Sequence, residues 1–128
     1  MALNRNTDLG KITIHDKVFE NIIADSCQKP SVYDKIWLAQ RPNIKAAYDE
    51  EGNLELSFSV YVKFGRSIRE ISGELADIVR ESIKVRTGDN VKTIYINVAA
   101  VRANNLVRRN MNIEIIYSDD GVIENILQ

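Results

Sequence analysis

Cysteine and histidine are nearly missing from this chain: Cys27 and His15 stand alone among 128 residues. A single cysteine excludes an internal disulfide and suits a reducing compartment. One histidine and one cysteine are too few for a typical zinc site. Long apolar runs are missing too. None approaches the roughly 20 residues that span a bilayer, so no direct membrane insertion is expected. Residues 1–11 carry Arg5 but no apolar stretch of signal-peptide type, and no secretory signal is visible. Neither a Walker-type phosphate loop nor the glycine fingerprint of dinucleotide-binding folds occurs. Charge of one sign is also lacking, since 17 Lys and Arg stand against 18 Asp and Glu, a formal net charge of −1. That balance argues against a general polyanion binder while leaving room for a local basic face. Without repeats or low-complexity tracts, the chain reads as a single domain over residues 1–128, long enough for a real core. The expectation is a soluble, cytoplasmic protein.

What the chain does have is pattern. Leu54, Leu56, Phe58, Val60, Val62 and Phe64 alternate with Glu55, Ser57, Ser59 and Lys63, the period of a half-buried strand. After Gly65 the period changes, and Ile68, Ile71, Leu75, Ile78, Val79 and Ile83 follow helical spacing. Ser67 and Glu70 fit a capping box at the helix start. Lys84 and Arg86 suit the negative end of its dipole, and Gly88 is a natural stop. Alternation returns at Ile94, Ile96 and Val98. This strand–helix–strand cassette predicts one core from Leu56, Phe58, Val60, Val62, Phe64, Ile71, Leu75, Ile78, Ile94, Ile96 and Val98.

Outside the cassette, Lys11-Ile12-Thr13-Ile14 reads as a short β-branched strand. Asp16 suits an N-cap for a first helix carrying Val18, Phe19, Ile22 and Ile23, which ends before Pro30. Residues 30–42, with Val32, Tyr33, Ile36, Trp37 and Leu38, are too apolar for a plain linker and read as a short helix or a loop folded over the core. Residues 44–48 resemble a strand, and Asp49-Glu50-Glu51-Gly52-Asn53 is a turn leading into Leu54, which makes a hairpin. Beyond Val101 come Arg102, Asn104, Asn105, Arg108 and Arg109, then alternating Met111, Ile113, Ile115 and Tyr117. Asp119-Asp120-Gly121 marks a turn before a short amphipathic tail. The fold class is therefore α+β in the order β-α-β-β-α-β, a mainly antiparallel sheet with two helices on one face and a C-terminal strand or tail. A three-stranded sheet without residues 11–14 is the alternative.

The search for chemistry yields little. His15 beside Asp16 has no recognisable nucleophile or proton donor to serve as a base, and reads as a surface histidine at a helix start. Cys27, near the end of an amphipathic helix, reads as a small core residue rather than a nucleophile. The carboxylates of residues 49–51 lack the spaced ligands of a calcium loop. Gly65-Arg66-Ser67-Ile68-Arg69-Glu70-Ile71 looks like the second half of a KH-domain loop and helix, modules that clamp an RNA backbone with G-x-x-G. Here Val62 occupies the first glycine position, and the junction joins a strand to a helix. Arg66, Arg69, Arg80, Lys84 and Arg86 are the residues a KH-like RNA-binding module would use, with Arg102 to Arg109 as a second basic segment, but a helix surface ordinarily carries such charges and no nucleic-acid partner is expected. No catalytic, cofactor-binding or metal-ligating residue is assigned, and no enzyme activity is expected.

Several segments together resemble the alkaline shock proteins, the envelope stress-response proteins of Gram-positive bacteria. They are Gly10-Lys11-Ile12-Thr13-Ile14 with Val18, Ile22 and Ile23; residues 56–64 ending in Gly65; Ile68, Glu70 and Ile71; and Val91-Lys92-Thr93-Ile94-Tyr95-Ile96-Asn97-Val98. The resemblance covers residues 10–101 and leaves 102–128 as a member-specific C-terminal appendage. Residues 30–42 depart from the glycine-rich stretch found there in many members. The resemblance implies a non-enzymatic cytoplasmic interaction protein, self-associating and docked on an envelope-associated, membrane-anchored partner. A regulatory role in lipid metabolism, as in other branches, is the alternative it implies. Self-association also follows from sheet edges that present unpaired N–H and C=O groups. Residues 111–117 are the candidate for pairing across chains, unless they hairpin back onto the Ile94–Val98 strand.

Overall fold

Alternating burial along residues 54–63 sets the frame of the molecule. In the computed structural model, which describes residues 16–127, Leu54, Leu56, Phe58, Val60 and Val62 are all buried on one face of a central strand. In chain order the elements are α1 (Asp16–Ser26), β1 (Ile36–Leu38), β2 (Lys45–Tyr48), β3 (Leu54–Lys63), α2 (Ile68–Thr87), β4 (Val91–Arg102), β5 (Leu106–Ser118) and β6 (Gly121–Leu127). They build an α+β fold around one six-stranded sheet, in which β1 and β2 both pair with β3 and the order continues through β4, β5 and β6. All neighbours are antiparallel except β3 and β4. That parallel pair needs a crossover, and α2 supplies it. The expected strand at residues 11–14, and His15 with it, lies outside the described residues.

The sequence signals around α2 match its ends. Ser67 sits at the N-cap in extended conformation, and its Oγ accepts from the Glu70 N–H at 3.3 Å. Gly88 closes the helix in the left-handed region at φ 79, its N–H donating to the Lys84 carbonyl at 3.0 Å. Both helices contribute to one apolar cluster on a single face of the sheet. Phe19, Ile22 and Ile23 from α1 meet Leu75, Val79 and Ile83 from α2 over Phe58, Ile94, Ile96 and Ile113. The β2–β3 turn forms as expected, with Asp49 Oδ1 accepting from the Glu51 and Asn53 N–H groups, each at 2.9 Å.

Four expectations are corrected. Phe64 is 71% exposed rather than in the core, because β3 ends at Lys63 and the chain swings out through Gly65 at φ 86. Ile78 is only partly buried, packed against the edge of the cluster. Residues 30–42 form no helix: they fold over the core, with Val32 and Ile36 fully buried, and unexpectedly carry the strand β1. Residues 102–128 are no appendage, since β5 and β6 complete the sheet and Ile113, Ile115 and Tyr117 join the core.

Candidate interaction surfaces

The polar groups packed between α2 and the sheet form a closed network. Tyr117 on β5 donates its hydroxyl to Asp77 on α2 at 2.7 Å. Arg80, one turn along, lies 4.3 Å from the Tyr117 ring centre and donates to the Val91 carbonyl at 2.9 Å. Burial, and then the neighbouring Asp77 carboxylate, push the Tyr117 phenol well above its ordinary value. A phenol held neutral and donating to a carboxylate is no base. The cluster joins helix to sheet through these hydrogen bonds and the Arg80–Tyr117 stacking.

The basic residues read from the sequence divide by location. Arg69 pairs with Glu124 at 2.9 Å, Arg86 pairs with Asp25 at 3.0 Å, and Arg80 is committed as above. Three of the five cations on the α2 face thus act within the fold. Val62, at the first glycine position of the KH-like motif, is buried inside β3. Cys27 is 4% exposed in the core, and burial raises its thiol to about 11. Among the described residues no cluster of His, Cys, Asp and Glu could hold a metal ion, and no helix is long and apolar enough to cross a membrane.

The two edges of the sheet are built differently. On one side β1 and β2 are short, and the turn carrying Pro42 crosses between them, its carbonyl accepting from the Ser59 N–H at 2.7 Å. Short strands and a proline are standard protection against edge-to-edge pairing. On the other side β6 runs seven residues, GVIENIL, without proline or lysine. Val122, Ile123, Ile126 and Leu127 are all exposed, two on each face of the strand. Residues 111–117, expected to pair across chains, are instead held between β4 and β6. Among the described residues the open edge lies one strand further out.

β6 is held by its antiparallel ladder with β5 along its whole length and tethered to α2. Glu124 reaches over α2 to Arg69, and a Cβ on Gly73 would come within 2.8 Å of its Oε2. A mid-helix glycine costs about 1 kcal/mol relative to alanine; here it makes room for the carboxylate that anchors the edge strand. The segment reads as a tail from sequence because its apolar residues fall on both parities. The signal that identifies it is Asp119-Asp120-Gly121 directly after an alternating strand, a two-residue hairpin connection. Comparison with protein-family models, curated proteins and solved structures found no match for this chain.

Proposed function

We propose that this chain is a non-enzymatic interaction protein that assembles with a second copy of itself through the free edge of β6. The observation that carries the reading is a seven-residue edge with four exposed apolar side chains, on a strand that β5 and the Glu124–Arg69 pair hold to the body. Alternate residues of such a strand direct N–H and C=O groups outward, and an added strand satisfies them.

The sequence of β6 supports a second copy as the occupant. A two-fold axis perpendicular to the sheet keeps each face continuous, so facing residues must share parity. Centred on Asn125, that register sets Ile123 opposite Leu127 twice and amide opposite amide. Centred on Glu124 it would oppose two carboxylates, and centred on Ile126 it would oppose Asn125 and Leu127. Of these three registers the first pairs apolar with apolar on the open face, and Arg69 already answers the nearby carboxylate.

A self-associating protein accords with the resemblance of residues 10–101 to the alkaline shock proteins. In that frame the protein is cytoplasmic, with any membrane association made through a partner. Sedimentation velocity at micromolar concentration tests the reading. The native chain is expected to sediment as a dimer, and Ile123→Lys, at an exposed position, as a folded monomer. A monomeric native chain, or a variant that dimerises equally well, would overturn it.

A further inference from the structure

The face of the sheet turned away from the helices carries a second surface, independent of the β6 edge. There Ser59, Asn97, Asn110 and Asn112 line up across three strands. Ser59 Oγ donates to Asn97 Oδ1 at 3.2 Å, and Asn97 Nδ2 donates to Asn110 Oδ1 at 3.0 Å and Asn112 Oδ1 at 2.8 Å. These bonds use the side-chain carbonyls of Asn110 and Asn112. Their amide N–H groups make no bond among the described residues, so the row offers donors as well as the remaining acceptor sites of its carbonyls.

A groove of ≈ 830 Å³ runs beside this row, between the turn at residues 39–43 and the β4–β5 hairpin. Ala39, Ser59, Ala99 and Ala100 make the depression because their side chains are small. Arg41, Arg108 and Arg109 rim it, and no carboxylate lines it. Consecutive strand residues normally face opposite sides, yet Arg108 and Arg109 both reach this groove. A bulge explains this. The β4–β5 ladder shifts between Val98 and Ala100, where Ala100 faces Arg108 and Val98 faces Met111; such bulges re-aim side chains. A second hollow continues the groove past Lys45, Ser57, Tyr95 and Asn112, again without a carboxylate. Among the described residues none of Arg41, Lys45, Arg108 and Arg109 has an ion-pair partner. In a chain of net charge −1, four unpaired cations along one trough are a local concentration of positive charge.

Planar groups accompany the charge. Tyr61 lines the groove, its cross-strand neighbour is Trp37, and Arg102 lies 4.5 Å from the Trp37 ring centre. Tyr95, hydrogen-bonded to Glu114, lies four residues back along the strands, roughly 13 Å away at 3.3 Å per residue, and closes the row of rings at the acidic end. Rings and guanidinium planes on an open sheet are platforms for unstacked bases, and arginines beside them bind the phosphates between.

We propose that this face binds single-stranded nucleic acid along the trough from Arg108 to Asn112. A folded duplex has its bases stacked away from such platforms, and an acidic peptide has no use for the rings. Glu55 and Glu114, flanking Tyr95, mark the end at which a polyanion is turned away.

Fluorescence anisotropy with labelled oligouridylate and oligodeoxythymidylate, about a dozen nucleotides long, tests this on the native chain and separates RNA from DNA as the source. Four phosphate contacts give a log–log salt slope of about −3 for a single strand. Joint replacement of Arg41, Lys45, Arg108 and Arg109 by glutamine should bring that slope near zero and weaken binding about tenfold or more at low salt. Tyr61→Leu should weaken it on the order of tenfold, whereas Lys84→Gln, outside the trough, should leave it unchanged. On the unaltered protein, NMR titration should move the side-chain amides of Asn97, Asn110 and Asn112, which keeps the test independent of how the variants fold. No binding at low salt, equal binding of duplex DNA or polyglutamate, equal loss on Lys84→Gln, or shifts confined to α2 would each overturn the proposal.

Discussion

Cys27 shows how one buried side chain ties stability to pH. Its thiol is raised from the ordinary 9.0 to about 11, chiefly by burial and against a smaller opposing hydrogen bond from the Leu38 backbone. The folded protein therefore keeps a proton that the unfolded chain releases between those values. Its contribution is complete below pH 9.0 and is lost as pH rises toward about 11, at up to about 1.4 kcal/mol per pH unit. Tyr117, also raised, adds a loss of the same sign above 10.0. Urea midpoints should accordingly fall from neutral pH into this alkaline window, and the fall should be shallower in Cys27→Ala. An equal decline in both proteins would show that the thiol plays no part. The bland reading of Cys27 as a small core residue was legible from its place on an apolar helix stripe. Phe64 was misread because alternation alone cannot tell where a strand stops, and Gly65 turns the chain one residue earlier than the pattern.

Among the elements, the β3–α2–β4 cassette was the most legible, since period, caps and charge all agreed there. Ser67 offers a direct check of that agreement. Removing its hydroxyl in Ser67→Ala should lower stability by about 1 kcal/mol, read as a shift in the denaturation midpoint with an unchanged slope. No shift would mean that the Glu70 N–H finds water as easily. β1 and β6 were not legible, for different reasons. β1 has three residues between a turn and a proline-bearing loop, too short to establish any period. β6 is apolar on both parities because its edge is open on both faces, so neither template fits it. Of the open-face groove, the sequence showed the basic residues 102–109 but not their setting. Arg108 and Arg109 converge only through the bulge, and Asn97, Asn110 and Asn112 meet only through the β4–β5 register.

For the molecule as a whole, the contrast between its two sheet edges decides the reading. One ends in short strands and Pro42, while the other ends in an apolar strand anchored to α2 through Glu124. Pairing of two β6 strands would join two sheets into one and leave both open faces, each with its proposed trough, on the same side. Disulfide trapping at the two-fold axis tests the central claim most directly, because it reads register as well as association. Cross-strand Cα atoms in an antiparallel pair are about 4.5–5.5 Å apart, within the roughly 4.4–6.8 Å a disulfide spans. Under mild oxidation Asn125→Cys should form a covalent dimer in high yield, with buried Cys27 unreactive. Ile123→Cys should not, because its symmetry mate is displaced by four residues, about 13 Å along the strand. Assembly through β6 predicts a dimer band for position 125 alone; no band at 125, or equal bands at 125 and 123, would contradict it.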